Sequence, residues 1–214
     1  MALTLDEIGI KYAYNFGKGK QYVGGDKTSL GKNFTKIYEE LFNQIKHNKI
    51  NLLELGIFHG KSLAMWSDYF YNGQIISIDI DLKPFYENEQ TLKKYGAFKN
   101  NNIKVIEQDI TKIIFADTIK NLPNLDIIIN DALNHANAQY NNFKLLFSKL
   151  NKNGYYIIED VIDPIHHIEL FKNIYACTTN SEIPNTKKLS DYSIANKIES
   201  ILIKNNIVII KKKN

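Results

Sequence analysis

Residues 50–62 read INLLELGIFHGKS, and the reading of this stretch decides the fold. Asn51 to Leu55 form a short apolar run broken only by Glu54, too brief for a helix and closed by Gly56. Such a run fits a strand covered on both faces. Gly56 and Gly60 permit a tight turn and a close approach of a ligand to the backbone. The residues from Lys61 take up helical spacing, so the first backbone N–H groups of that helix face the turn. Strand, glycine turn and helix together open an α/β sheet.

Downstream the pattern repeats. Strands are expected at Asn51–Leu55, Gln74–Ile80, Ile103–Gln108, Leu125–Asn130 and Tyr155–Glu159. Helices are expected at Lys61–Phe70, Pro84–Tyr95, Thr111–Leu122, Ala136–Leu150 and Pro164–Tyr175, the last with Asp163 as N-cap and proline at its first position. Apolar strands alternating with helices specify a parallel sheet covered on both sides. The end departs from this rhythm. Ser200–Ile203 and Ile207–Ile210 around Lys204-Asn205-Asn206 read as an antiparallel hairpin at a sheet edge.

Upstream, apolar residues at three- and four-residue spacing predict amphipathic helices over Leu3–Tyr12 and Phe34–His47. Thr4 and Glu7 are spaced for a capping box. Between these helices a Gly/Lys-rich loop runs from Gly17 to Lys32, long enough to act as a lid or binding loop, with Tyr22, Lys27 and Lys32 as candidates to close over a ligand. Residues 1–49 are therefore read as an N-terminal helical extension and residues 50–214 as the sheet domain.

Composition narrows the function. The chain has 214 residues, 44% hydrophobic and 23% charged, which suits a folded globular protein. No apolar run approaches the roughly 18 residues of a membrane span, and MALTLDEIGIKY lacks a signal-peptide core. One cysteine, Cys177, leaves no internal disulfide, and a reducing, cytoplasmic setting is expected. All 27 basic residues are lysine. The absence of arginine, the usual bidentate reader of guanine and phosphate, argues against nucleic acid as partner. The terminal Lys211, Lys212 and Lys213 read as a solvated end.

In open α/β sheets, ligands bind beyond the C-terminal ends of the strands. Those ends carry Glu54 with the glycine turn, then Asp79, Gln108-Asp109, Asn130-Asp131 and Glu159-Asp160. An acid such as Asp79 can accept hydrogen bonds from a ribose diol, and Gln108-Asp109 can reach an adenine edge. Any one of these ends is also what an ordinary turn uses; their succession is what singles them out. The dinucleotide pattern G-x-G-x-x-G is missing, since Leu55 and Ile57 flank a single glycine. The E-x-G-x-x-x-G turn fits a nucleoside ligand without pyrophosphate. His59 in this turn reads as a loop-shaping residue. Trp66 and Met65 read as core, and His166 and His167 as a helix surface or, with Asp160 and Asp163, a metal site.

The turn, the ribose-type acid and the terminal hairpin resemble class I S-adenosylmethionine-dependent methyltransferases over roughly residues 50–211. A narrower resemblance is to bacterial Mg-dependent sugar O-methyltransferases, the family of macrolide-sugar methyltransferases and so-called cephalosporin hydroxylases. Three pieces carry it: Leu53-Glu54-Leu55-Gly56 through Gly60-Lys61-Ser62-Leu63-Ala64-Met65-Trp66; Gly25-Asp26-Lys27 with Phe34-Thr35-Lys36-Ile37-Tyr38-Glu39; and Gly154 followed by Ile158-Glu159-Asp160. The resemblance implies a Rossmann-like, seven-stranded, mostly parallel sheet with a C-terminal antiparallel hairpin. It implies S-adenosylmethionine held by Glu54, Gly56, Gly60, Ser62, Asp79, Gln108, Asp109 and Lys27. It also implies Mg²⁺ on Asp131, Glu159 and Asp160, which suits hard oxygen ligands. A sugar hydroxyl of a small molecule or glycan is the implied acceptor, and a homo-oligomer the implied assembly.

One departure stands out. Where the family carries D-D-G-S-H, this chain reads Asn130-Asp131-Ala132-Leu133-Asn134-His135. Counting back from Phe143 and Gln139, the base position holds Asn134, which cannot take a proton, and His135 follows it. His135 is the expected base. Two alternatives remain: a methyltransferase-fold binding or partner subunit without catalysis, and a nicotinamide-dependent oxidoreductase.

Overall fold

A computed structural model describes residues 3–14, 25–162, 165, 167–169, 171, 193–204 and 206–214. These fall into two compact units, residues 1–109 and 110–214.

In the first unit, α1 (Leu5–Tyr12) and α2 (Phe34–Phe42) precede β1 (Asn51–Leu55), α3 (Lys61–Tyr69), β2 (Gln74–Asp79), α4 (Lys83–Lys94) and β3 (Ile103–Glu107). The Thr4 hydroxyl accepts from the Glu7 N–H, and the Glu7 carboxylate accepts in return from the Thr4 N–H at 2.8 Å, which completes the expected capping box. The three strands are parallel, in the order β3-β2-β1, with Leu53 opposite Ile76 and Ile76 opposite Lys104. α1 packs on α3 across Gly9, where a Cβ would lie 2.6 Å from Thr28 Cγ2 and 2.8 Å from Met65 Sδ. The helix gives up some propensity there to let the two backbones approach. Trp66 and Met65 are buried as expected. Tyr38 and Phe42 present edge-on contacts to Trp66 at centroid distances of 5.3 and 6.3 Å. Pairs of this kind add about 0.5–1.5 kcal/mol each beyond the area they bury.

In the second unit, α5 (Phe115–Lys120), β4 (Leu125–Asn130), α6 (Ala136–Leu146), a 3-10 turn (Phe147–Lys149) and β5 (Leu150–Ile158) lead to β6 (Ile198–Lys204) and β7 (Ile207–Lys212). β4 and β5 are parallel; β7 runs antiparallel to both β5 and β6, giving the order β4-β5-β7-β6. Its core gathers Tyr140, Phe143, Phe147, Tyr156 and Phe171. The two units together hold seven strands, mostly parallel with a C-terminal antiparallel hairpin, as expected.

Several boundaries differ from the sequence reading. Residues 111–114 form turns rather than helix, with Ile113 and Ile114 exposed. α2 stops at Phe42 and α6 at Leu146. β5 starts at Leu150, five residues before the expected Tyr155, because Leu150 pairs with Leu125 across a register shift. Lys211 and Lys212 belong to β7 instead of a solvated tail. Lys211 pairs with Glu199 at 2.9 Å, and Lys212 Nζ donates to the Leu150 carbonyl. The expected helix Pro164–Tyr175 lies partly outside the described residues, as does half of the glycine-rich loop, and Cys177, Tyr22 and His166 lie outside them; residues 165, 167–169 and 171 are helical.

Candidate active site

The first unit builds a glycine turn at the C-terminal ends of its parallel strands. β1 runs into Gly56, whose N–H donates to Ile78 O at 2.8 Å. Gly56 and Gly60 both have positive φ, 96° and 74°, and Phe58 between them has φ 48°. An added Cβ at Gly60 would sit 2.5 Å from Phe85 Cδ2, so both backbone and space demand glycine there. Asp79, at the end of the neighbouring β2, holds the turn. Its Oδ2 accepts from Ile57 N–H at 2.6 Å and Phe58 N–H at 3.1 Å. Gln108 N–H donates to Asp79 O at 2.7 Å, and Gln108 Nε2 donates to Asp109 O at 3.0 Å. The structure therefore brings Gly56, Gly60, Asp79, Gln108 and Asp109 to one end of β1, β2 and β3. His59 rests against Phe58 and lies 3.4 Å from Pro84 O, a loop-shaping contact as expected.

Glu54, Ser62 and Lys27 sit behind this turn. The Glu54 carboxylate is fully buried. It accepts from Ser62 Oγ at 3.0 Å and Trp66 Nε1 at 3.2 Å, and Lys27 Nζ stands 3.8 Å away. Its oxygens thus serve the chain's own donors, tying β1 to the first two turns of α3 and to the 25–28 turn. Lys61, also buried, donates from Nζ to the Tyr14 carbonyl and lies 4.7 Å from the Tyr14 ring centroid. Burial holds its ammonium pKa below the ordinary lysine value. Lys61 was not singled out from the sequence; a lysine in a helix's first turn reads as solvated unless its neighbours are known to enclose it.

The second unit carries the other acidic strand ends. β4 and β5 finish in register, Asn130 opposite Ile158, and Glu159 N–H donates to Asn130 O at 3.1 Å. Asp131 and Glu159-Asp160 therefore leave adjacent strand ends. Glu159 is buried, and Asp160 adopts a left-handed backbone, φ 52°. Asn134 and His135 are exposed in the loop before α6, where His135 is the N-cap residue and its side chain makes no capping bond. The oxygen donors suit Mg²⁺, which takes few protein ligands and retains waters. Among the described residues, no group of three or more His, Cys, Asp or Glu side chains is drawn together tightly enough to hold a metal ion.

Two residues emerge that the sequence reading placed differently or did not use. His167, read as a surface or metal-site candidate, is buried, with Nε2 at 2.7 Å from Gln139 Oε1 and its ring stacked on Phe171. Gln139 is itself buried and donates from Nε2 to Glu159 O at 3.0 Å. The spacing of Gln139, Phe143 and Leu146 on one helical face was the available signal that Gln139 points inward.

A glycine turn closed by a strand-end acid, on a sheet with an inserted antiparallel last strand, defines the class I methyltransferase fold. The chain belongs to the methyltransferase-domain family, whose match covers residues 53–161, about half of its length. Among curated proteins it is 30% identical over 143 residues to 8-demethyl-8-(2-methoxy-alpha-L-rhamnosyl)-tetracenomycin-C 3'-O-methyltransferase of Streptomyces olivaceus, covering 64% of this chain and 34% of that protein. It is 25% identical over 203 residues to mycinamicin VI 2''-O-methyltransferase of Micromonospora griseorubida, covering 84% and 48%. Among solved structures, the MycE methyltransferase of mycinamycin biosynthesis, in complex with Mg and SAH, superposes with a TM-score of 0.72 at 20% identity, over 100% of this chain and 55% of that one. The chain thus spans about a third to a half of the length of the curated relatives it matches. Among the described residues, no helix is long and apolar enough to cross a membrane.

Proposed function

We propose that the chain catalyses S-adenosylmethionine-dependent O-methylation of a sugar hydroxyl, with Mg²⁺ at the acceptor. The observation that carries the reading is the 56–60 turn pinned to Asp79 at the ends of parallel strands, which fits a nucleoside ligand. The sugar O-methyltransferases among its relatives support the acceptor class. When bound, the donor supplies an electrophilic sulfonium methyl, and the cation makes the acceptor hydroxyl more acidic.

The chain's residues divide the work. Gly56, Gly60, Asp79, Gln108 and Asp109 line the donor site, with Asp79 retaining acceptor capacity for a ribose diol beyond the three backbone N–H groups it accepts. Glu54, Ser62 and Lys27 act from behind as positioning residues that fix the turn and α3. Asp131, Glu159 and Asp160 would hold the cation, once it draws their carboxylates together. His135 takes the hydroxyl proton, since the Asn134 amide has no basic site. The acceptor is a small molecule or glycan; a homo-oligomer and a cytoplasmic setting belong to the same reading.

Calorimetry with S-adenosylhomocysteine, followed by turnover of S-adenosylmethionine against a sugar panel with and without chelator, tests this. Saturable binding and chelator-sensitive turnover are expected. Absence of S-adenosylhomocysteine binding would overturn the donor assignment. Turnover indifferent to chelator would overturn the cation's role.

A further inference from the structure

Gln139 occupies a position that neither the strand ends nor the loop residues explain. It is fully buried on α6 and uses each of its polar groups. Its Nε2 donates to the Glu159 carbonyl at 3.0 Å. That oxygen is only an acceptor, so the amide orientation is determined: Oε1 must face His167, and His167 must carry its proton on Nε2 to donate across 2.7 Å. The Gln139 main-chain carbonyl meanwhile lies 3.4 Å from Asn130 Nδ2, and Asn130 immediately precedes Asp131. One residue therefore touches both strand ends that carry acids.

The consequence falls on Asp160. The peptide group before it is anchored through the Glu159 carbonyl, and the one after it through Val161 N–H, which donates to Asn206 O at 2.9 Å. Held at both sides, Asp160 sits at φ 52°, a conformation a non-glycine residue leaves when it is not constrained. We infer that Gln139 is a positioning residue for the acidic pair: by clamping the Glu159 carbonyl it sets the direction in which Glu159 and Asp160 leave β5. This rests on the reading that these acids, with Asp131, hold the divalent cation. Outer-shell groups of this kind typically change metal affinity by about 10–100-fold when removed.

The test uses Mn²⁺ as a spectroscopic probe of the cation, titrated by electron paramagnetic resonance into the wild-type chain, Gln139→Leu and Phe143→Leu. S-adenosylhomocysteine affinity and the melting temperature are measured alongside. Phe143 lies one turn further along α6, is buried against Tyr156 and Phe171 and makes none of these hydrogen bonds, so its variant reports the effect of loosened packing around them. Gln139→Leu is expected to weaken Mn²⁺ about tenfold or more, with S-adenosylhomocysteine affinity unchanged, and Phe143→Leu to leave Mn²⁺ affinity intact below its melting temperature. Equal Mn²⁺ affinity in wild type and Gln139→Leu, or equal weakening in both variants, would overturn the positioning role while leaving the cation reading in place. A wild-type chain that binds no Mn²⁺ would overturn the cation reading and the inference with it.

Discussion

Asp79 and Ile57 lie at the ends of adjacent parallel strands, and the Asp79 Oδ2 accepts the Ile57 N–H at 2.6 Å. The same oxygen takes the next N–H, from Phe58, at 3.1 Å. A single carboxylate therefore shapes the turn and keeps lone pairs for the proposed donor. Hydrogen bonds to a charged acceptor contribute about 1.5–3 kcal/mol. Asp79→Ala is expected to lower S-adenosylhomocysteine affinity by at least about tenfold by calorimetry, and to lower the melting temperature at the same time. A shift in one without the other would separate the two roles.

Lys27 and Glu54 form a pair with almost no solvent contact. Removing one member of a buried pair strands the other charge, at a cost of about 3–5 kcal/mol. Lys27→Met should therefore destabilise the chain strongly in denaturant titrations. The double variant with Glu54→Gln should recover part of that loss, because no buried charge is then left alone. Additive losses would show that Glu54 relies on Ser62 and Trp66 instead.

His135 stands exposed at the N-cap of α6, next to Asn134. Loss of a general base typically costs about 10²–10⁴-fold in rate. His135→Ala should reduce turnover on that scale and leave S-adenosylhomocysteine and Mn²⁺ affinities unchanged. Near-normal turnover in that variant would assign the proton to another acceptor.

Asp6 accepts from Ser29 N–H at 2.8 Å, Ser29 Oγ at 2.6 Å and Thr35 Oγ1 at 2.6 Å, joining α1 to the turn before α2 and to α2 itself. Partial burial works to raise its pKa, but these hydrogen bonds outweigh burial and hold it below the ordinary aspartate value. The folded state thus binds the proton less readily than the unfolded chain. This contribution is complete above the unfolded value near pH ~4 and is lost as pH falls through the lower folded value. Melting temperatures followed from neutral pH downward should fall more steeply for wild type than for Asp6→Asn in that acid window.

The repeating part of the fold was readable because buried strands and amphipathic helices leave local periodicities. Asn51–Leu55 and Leu125–Asn130 appear in the structure at the residues their apolar runs mark. Thr4 and Glu7 form their capping box because both partners are three residues apart. Where an element depends on a distant partner, the local pattern misleads. Residues 151–154, Asn-Lys-Asn-Gly, carry no apolar run and fall between the expected helix and strand, but continue β5, since the pairing of Leu150 with Leu125 sets the strand's start. His167 looked like a helix-surface residue because its partner Gln139 stands 28 residues earlier. The strand-end acids were legible as a series, whereas the inward turn of Glu54 was not, for it depends on Lys27 arriving from the N-terminal segment.

The left-handed backbone at Asp160 has a consequence for how this sequence can drift. Glycine would relieve about 1 kcal/mol of conformational cost at that position and would fold at least as well. Random substitution filtered only for persistence of the fold would therefore favour glycine over aspartate at residue 160. The carboxylate remains where the backbone least suits it, so residue 160 works as a gauge: in laboratory evolution for heat resistance alone, this aspartate should be among the early losses, and under selection for methyl transfer it should stay.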